Sequence, residues 1–364
     1  MKIVIDARFT RVDHHDGISR YGSSLIAALA KISDVSMLIS DPRQLKLLPD
    51  VPYTLINSPL SPAELFVAAK VNRLGADVVV CPMQTMGSWG RNYGLVLTLH
   101  DLIYYEHPAP PGFLPAPVRV LWRLYHKAFW PQRLLLNRAD IVATISHTTA
   151  SLIAKYRLTT RPVRIVGNAP QHGHSPRDVT AGSDKSLLYM GSFMPYKNVE
   201  TMIKGMAELP GMKLHLLSRI TPARRAELES LVPRGTDIVF HNGVTEDEYE
   251  ALLSRATALI SLSKAEGYGL PLVEAMSHGT PVIASDIPIF REVGSDAAIY
   301  VHPDSPSEFA AAVRDLEDPS VWDVRSRRSV ERAAEFSWDH SALQLMQVAE
   351  EVVAQRQRRN RTSV

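Results

Sequence analysis

The sequence predicts an α/β protein made of two doubly wound parallel-sheet domains facing each other across a cleft. Three observations lead there. The 364 residues are too many for one ordinary core and suit two. Short apolar runs alternate with helical patterns from end to end, the rhythm of βαβ units in Rossmann-like sheets. Near the middle, "NAPQHGHSPRDVTAGSDK" (residues 168–185) breaks that rhythm with Pro, Gly, Ser and charge, and reads as a linker. The expected division is 1–168, a linker at 169–185, a second domain at 186–340, and a C-terminal helix with a basic tail at 341–364, whose return to the first domain stays open.

The elements follow in order. "KIVIDARF" is a first strand, followed by a helical pattern over residues 18–32. "ADVVVCP" and "GLVLTLH" are the unbroken apolar runs of strands buried on both faces. "DIVATIS" precedes a helix that runs to about Tyr156. After the linker come "SLLYMGS", "KLHLLS", "DIVFHNG", "TALISLS", "PVIASD" and "AAIYVHP", with helices between them. "SALQLMQVAEEVVAQRQRRNRTSV" is helical and then a frayed basic tail. Ligands of such folds sit outside the carboxyl ends of the strands.

Composition narrows the function. With 45% hydrophobic and 21% charged residues the chain is globular, and a net charge of +2 supplies no field for nucleic acid. The single Cys81 excludes an intrachain disulfide framework and fits a reducing compartment. "MKIVIDARF" is a strand pattern rather than a secretory leader, and no apolar run reaches membrane-spanning length. A cytoplasmic protein is expected. No G-x-x-x-x-G-K-[ST] occurs, "GISRYG" is not G-x-G-x-x-G, and there is no G-x-S-x-G. These absences argue against a P-loop ATPase, a dehydrogenase and an α/β serine hydrolase.

The informative stretch is "KAEGYGLPLVEAMSHGTPVIASD" (residues 264–286). A strand ends, a loop with two glycines follows, and Pro271 suits the first turn of a helix. Such a loop offers backbone N–H groups at the positive end of a helix dipole, where phosphates bind. Glu266 lies on the loop and Glu274 in the first helical turn, and carboxylates suit hydroxyl-rich ligands. A sugar nucleotide carries both diphosphate and hydroxyls. The plain alternative is an ordinary Gly-Tyr-Gly turn, with Glu274 only complementing the dipole.

Further motifs point the same way. "GISRYGSSL" is a glycine loop after the first strand, "VLTLHDLIYYEHP" a strand ending in His-Asp, and "ADIVATISHTTASLI" a strand and helix entry. "LLYMGSFMPYKNVETMI" opens the second half and "IPIFREVGSDAAIYVHPDSPSEFAAAV" ends it. With the 264–286 stretch, these six motifs, in order across nearly the whole chain, resemble glycosyltransferase family 4, the group 1 glycosyl transferases. These are retaining enzymes of the GT-B fold that carry an E-x7-E signature. The resemblance implies transfer of a hexose, of mannose or glucose type, from a nucleotide diphosphate sugar to a glycan or lipid-linked acceptor, in cell-envelope glycan biosynthesis. It implies no cofactor and no metal.

By position, Glu274 would hold the donor ribose. Glu266 and the backbone of Gly267, Tyr268, Gly269, Leu270 and Pro271 would hold the transferred sugar. Lys197 would pair with the diphosphate, which Gly17 would let the first domain approach. His100 would lie near the reacting sugar and the acceptor. Many relatives carry Arg after the glycine of "YMG"; here that donor-site position is Ser192, and Arg20 or Arg219 is the substitute to test.

Two segments carry alternatives. "DHHD" (residues 13–16) reads as a metal site, an acceptor contact or a solvated loop. The segment 115–138 interleaves Arg119, Arg123, Lys127 and Arg133 with Trp122, Phe129, Trp130 and Leu134. It reads as a surface helix for an anionic membrane, making the protein peripheral on the inner membrane face, or as a domain helix with its apolar side on the sheet. Pro131 implies a kink or two helices. At the level of function, the alternative to an enzyme is a non-catalytic two-domain sugar or nucleotide binder.

Overall fold

The structure, a computed structural model, describes residues 1–110, 116–171 and 183–362. Most of the expected linker, Pro115 and the last two residues lie outside them. The chain forms two compact units, Met1–Asn168 with Ser337–Val364, and Ala169–Phe336.

The first unit holds a seven-stranded parallel sheet: β1 (Ile3–Asp6), β2 (Val35–Ile39), β3 (Tyr53–Leu55), β4 (Val78–Cys81), β5 (Gly94–Leu99), β6 (Ile141–Thr144) and β7 (Val163–Ile165), in the order β3-β2-β1-β4-β5-β6-β7. The second holds six parallel strands: β8 (Ser186–Tyr189), β9 (Lys213–Leu216), β10 (Asp237–Phe240), β11 (Ala258–Ser261), β12 (Val282–Ser285) and β13 (Ile299–Val301), in the order β10-β9-β8-β11-β12-β13. Both are doubly wound, reversing direction beside their first strand, where such folds bind ligands. Strands β4, β5, β8, β11 and β12 are buried at every residue, as continuous Val, Ile and Leu runs require.

Differences from the sequence reading have local causes. "KIVIDARF" is strand only to Asp6, because the Asp6 carboxylate accepts from the Arg8 backbone N–H and turns Ala7–Phe9 into a 3-10 helix. As expected of Pro131, the basic segment forms two helices, Ala116–Tyr125 and Trp130–Leu136, with the proline in the first turn of the second. The C-terminal helix begins at Trp338 and continues through the basic residues to Thr362, with no fraying before that point. Its arginines have a partner: Asp140, 3% exposed at the side chain, takes Arg91 at 2.8 Å, Arg359 at 3.4 Å and Arg356 at 3.7 Å. Gly94 opens β5 because this helix crosses it; a Cβ there would stand 2.2 Å from Val352.

Candidate functional site

In the second unit the site is built where β11 gives way to the helix Leu270–Ser277. Gly269 starts that helix with φ +99°, a conformation glycine adopts freely, and a Cβ there would lie 2.8 Å from the Phe290 ring. No side chain caps this helix end. Because the helix begins at Leu270, Glu274 falls in its second turn, not the first as expected, and is no simple complement to the dipole. Its Oε2 accepts from the Tyr249 hydroxyl at 3.2 Å. Below it, the Ser326 hydroxyl donates to the Gly279 carbonyl at 2.6 Å and fixes the helix from behind.

Glu266 is held on the loop. Its Oε1 accepts from Lys197 Nζ at 2.6 Å and from Ser263 Oγ at 2.7 Å. The Lys197 and Glu266 side chains are only 14% and 13% exposed. The sequence between them explains the meeting. Pro195–Lys197 is a 3-10 turn that ends at Asn198, whose φ of +55° is one that asparagine tolerates. The Asn198 amide donates to the Leu262 carbonyl at 3.0 Å and to the Pro303 carbonyl at 2.6 Å. The Lys264 N–H donates to the Tyr196 carbonyl at 2.8 Å. The "PYKN" turn is thus laced to the glutamate loop. Lys197 Nζ also lies 5.3 Å from the centre of the Tyr196 ring. Tyr268 is buried, its ring edge-on to Phe336 at 6.4 Å.

Ser192 is exposed, and its carbonyl accepts from the Tyr189 hydroxyl at 2.5 Å. Burial pushes that phenol's pKa well up, so it stays a donor. Arg219 is exposed and lies against Gly243. Arg224, absent from the sequence reading, donates to the Phe193 carbonyl at 3.0 Å but is engaged by Glu200 and Glu227.

In the first unit, Gly17 begins the helix Gly17–Leu29, and a Cβ there would meet nothing within 4 Å. Asp16 caps this helix, accepting from the Ser19 N–H at 2.9 Å and from Arg11 at 2.6 Å. His15 Nδ1 lies 2.8 Å from the Ser19 hydroxyl, while Asp13 and His14 are exposed. The four residues of "DHHD" therefore serve separate ends. Among the described residues no group of three His, Cys, Asp or Glu is placed to hold a metal ion.

His100 follows β5, with Nε2 2.7 Å from the Pro82 carbonyl. A nitrogen that close to a carbonyl oxygen carries the proton, and burial lowers the pKa below the ordinary 6.5. The neutral ring therefore has Nδ1 as an acceptor. The Tyr21 ring stands edge-on to it at 5.1 Å, and the Tyr21 hydroxyl donates to the Val166 carbonyl at 3.2 Å. His100 and Ile18 line one cavity of about 910 Å³ with Trp122 and Gln132.

The geometry thus joins Lys197 to Glu266 directly and brings the neighbour of Gly17 to His100's cavity. Ser263 and Tyr249, the partners of the two glutamates, escaped the sequence reading; Ser263 stands one residue outside the quoted stretch and Tyr249 lies 25 positions before Glu274.

Comparison with known proteins fits this construction. Residues 184–318 match the profile of the glycosyl transferases group 1 family, and they include Ser192, Lys197 and the whole glutamate loop. By this match the chain resembles the group 1 glycosyltransferases. Over its length the chain is similar to the O-antigen chain mannosyltransferase RfbU of Salmonella typhimurium, at 27% identity over 83% of this chain and 87% of that one. It is also similar to the O-antigen chain mannosyltransferase B of Escherichia coli, at 31% identity over 43% of each chain. The solved structure of Anabaena HepE in complex with UDP-glucose superposes with a TM-score of 0.71 at 17% identity, covering 96% of this chain and 100% of that one. That likeness shows the fold, which is GT-B as the resemblance implied. Among the described residues no helix is long and apolar enough to cross a membrane.

Proposed function

We propose that the protein is a retaining hexosyltransferase of mannosyl type, moving the sugar of a nucleotide diphosphate donor to a glycan or lipid-linked acceptor. The observation that carries this reading is the Lys197–Glu266 pair at the mouth of an uncapped helix end. One cation and a row of backbone donors there suit a diphosphate, and one carboxylate suits sugar hydroxyls. The mannosyltransferase relatives favour the sugar, and the UDP-glucose bound by a protein of the same fold favours the donor class.

In this mechanism the acceptor hydroxyl oxygen attacks the anomeric carbon from the face that the diphosphate leaves. The bond from that carbon to the phosphate oxygen breaks, and the departing oxygen takes the acceptor's proton. Configuration is retained without an enzyme nucleophile. Lys197 and the amides ahead of Leu270 stabilise the negative charge of the leaving group, the usual largest electrostatic contribution to such a step. Glu274 holds the ribose, and Glu266 orients the sugar. His100, neutral, accepts a hydrogen bond from a sugar hydroxyl at Nδ1. No protein cofactor takes part. The test is turnover with a panel of GDP-, UDP- and ADP-sugars in EDTA, with the product's anomer assigned by NMR. A GDP-mannose product of retained configuration is expected; an inverted anomer or a strict need for added metal defeats the reading.

The helix Ala116–Tyr125 bears on where the reaction takes place. From 117 to 125 none of its residues is buried, and Val120, Leu121 and Leu124 are 56%, 65% and 56% exposed. Trp122 and Tyr125 are half-buried, Trp122 edge-on to the Tyr104 ring at 4.9 Å. Its exposed Arg119 and Arg123 and the exposed Lys127 beyond its end fit an anionic membrane surface. Vesicles of anionic lipid should bind the protein more than neutral ones, and salt should weaken the binding.

A further inference from the structure

The Glu266 carboxylate is held by two donors of different kinds, and the donor chemistry accounts for only one of them. Lys197 Nζ and Ser263 Oγ both reach the same oxygen, Oε1, at 2.6 Å and 2.7 Å. Among the described residues nothing donates to Oε2. An ionised carboxylate has about four acceptor sites, so Oε2 keeps room for a ligand hydroxyl.

The two donors differ in how freely they can leave. Lys197 carries its charge on a flexible four-carbon stem, and a diphosphate competes for it. Ser263 is fully buried, and the backbone around it is tied to the "PYKN" turn and to β12. The Leu262 carbonyl accepts from the Asn198 amide at 3.0 Å, and the Lys264 N–H donates to the Tyr196 carbonyl at 2.8 Å. The Ser263 carbonyl accepts from the hydroxyl of Ser285, the last residue of β12 and itself fully buried. The Ser263 hydroxyl carries a single proton, and Ser261 Oγ, at 3.5 Å, is too far away to compete with Glu266 for it. When the ammonium turns to a diphosphate, Ser263 is therefore the side-chain donor that stays with Glu266. Without it, a carboxylate only 13% exposed would lose its cation and its last anchor together, and would swing towards water or take up a proton.

We propose that Ser263 is the positioning residue of Glu266: its hydroxyl holds Oε1 once Lys197 has left, and keeps Oε2 turned to a hydroxyl of the transferred sugar. The proposal rests on the glycosyl-transfer reading. It gives the two oxygens of Glu266 separate tasks, one towards the protein and one towards the sugar.

Calorimetric titrations of the full chain with GDP and with GDP-mannose test this, because the two probes differ only by the mannosyl group. The ratio of their affinities isolates the sugar. Ser263→Ala leaves the backbone ties in place and should lower that ratio about tenfold, the scale of a hydrogen bond to a charged group, while GDP itself stays within about threefold of the wild type. In a Glu266→Ala background the same substitution should cost the ratio nothing further, because the hydroxyl then has no carboxylate to place. Ser285→Ala loosens the Ser263 carbonyl without touching Glu266 and should lower the ratio about threefold, a neutral hydrogen bond being the weaker one; it carries the test should Ser263→Ala unfold. Equal weakening of both probes in Ser263→Ala, an undiminished loss in the Glu266→Ala background, or a wild-type ratio in both serine variants overturns the proposal. Glu266→Ala alone reports on the reading beneath it. A wild-type ratio there removes Glu266 from the sugar and the proposal with it, whereas a lowered ratio there with none in the serine variants strikes the proposal and leaves the donor reading standing.

Discussion

The glutamate loop of the second unit and the basic segment of the first both follow the carboxyl end of a central strand, yet they are held in opposite ways. Around Glu266 every part is tied by short polar contacts: Lys197 and Ser263 to the carboxylate, Asn198 to two carbonyls, Lys264 to the "PYKN" turn. In the basic segment no residue from 117 to 125 is fully buried, and the contacts to its neighbours are chiefly between rings, such as Tyr104 on Trp122 at 4.9 Å and Tyr105 on Phe129 at 4.5 Å. A fixed geometry suits a site that must stabilise a developing charge, because preorganised groups need not rearrange during the reaction. A surface of exposed leucines and rings suits a ligand recognised by area rather than by position.

The comparison breaks first at Glu266. Glu266→Ala should lower turnover roughly a hundredfold or more, the scale of losing a positioned catalytic contact. Steady-state assays with saturating donor measure it, and full activity would remove Glu266 from the chemistry. His100→Ala, in the first unit, should cost a similar factor, since it removes the Nδ1 acceptor. Glu274→Ala should weaken donor binding about tenfold, as expected for a hydrogen bond to a charged group at roughly 1.5–3 kcal/mol. Calorimetry with the donor and with its sugar-free diphosphate should show both weakened, because the ribose is common to them.

Smaller effects sharpen the contrast. Gly17→Ala meets no clash within 4 Å, so the melting temperature should stay or rise slightly, while turnover should fall if the diphosphate approaches this backbone as the resemblance implies. Unchanged turnover in a stable Gly17→Ala would show that nothing approaches this backbone.

The pH response should be modest. Burial is the first cause that lowers His100, His126, His215 and His241 below the ordinary 6.5, with His215 pushed further by His241 at 2.8 Å. A group with a lower pKa folded than unfolded makes the unfolded chain bind more protons, so stability must fall as pH drops through 6.5 towards the folded values. Urea midpoints at pH 7.5 and 5.5 check this in a range where carboxylates remain ionised; a higher midpoint at pH 5.5 would refute it.

Much of this was legible in the sequence, for identifiable reasons. Buried parallel strands such as "VVVC" and "GLVLTL" are continuous apolar runs, and a sheet covered on both faces demands them. The edge strands β3 and β7 were not legible: three residues each, only partly buried, they carry no pattern. The glutamate loop was legible because glycine and proline mark its turn. Its supports were not, since the contacts from Tyr249 and Asn198 depend on tertiary placement that no local spacing encodes. Only the basic end of the helix at 338–362 reads as frayed, because its arginines look solvated in sequence, whereas Asp140 receives two of them.

The central claim is that Lys197 is the cation for the donor's diphosphate and that Glu266 occupies it only as an intramolecular stand-in. Calorimetric titration of a nucleoside diphosphate against the wild type, Lys197→Ala and Glu266→Ala tests this directly. The account predicts affinity weakened about tenfold or more in Lys197→Ala, and equal or tighter in Glu266→Ala, where the ammonium no longer has to leave a carboxylate. Unchanged affinity in Lys197→Ala would contradict it, and would move the search for the diphosphate's partner to Arg20 and Arg219.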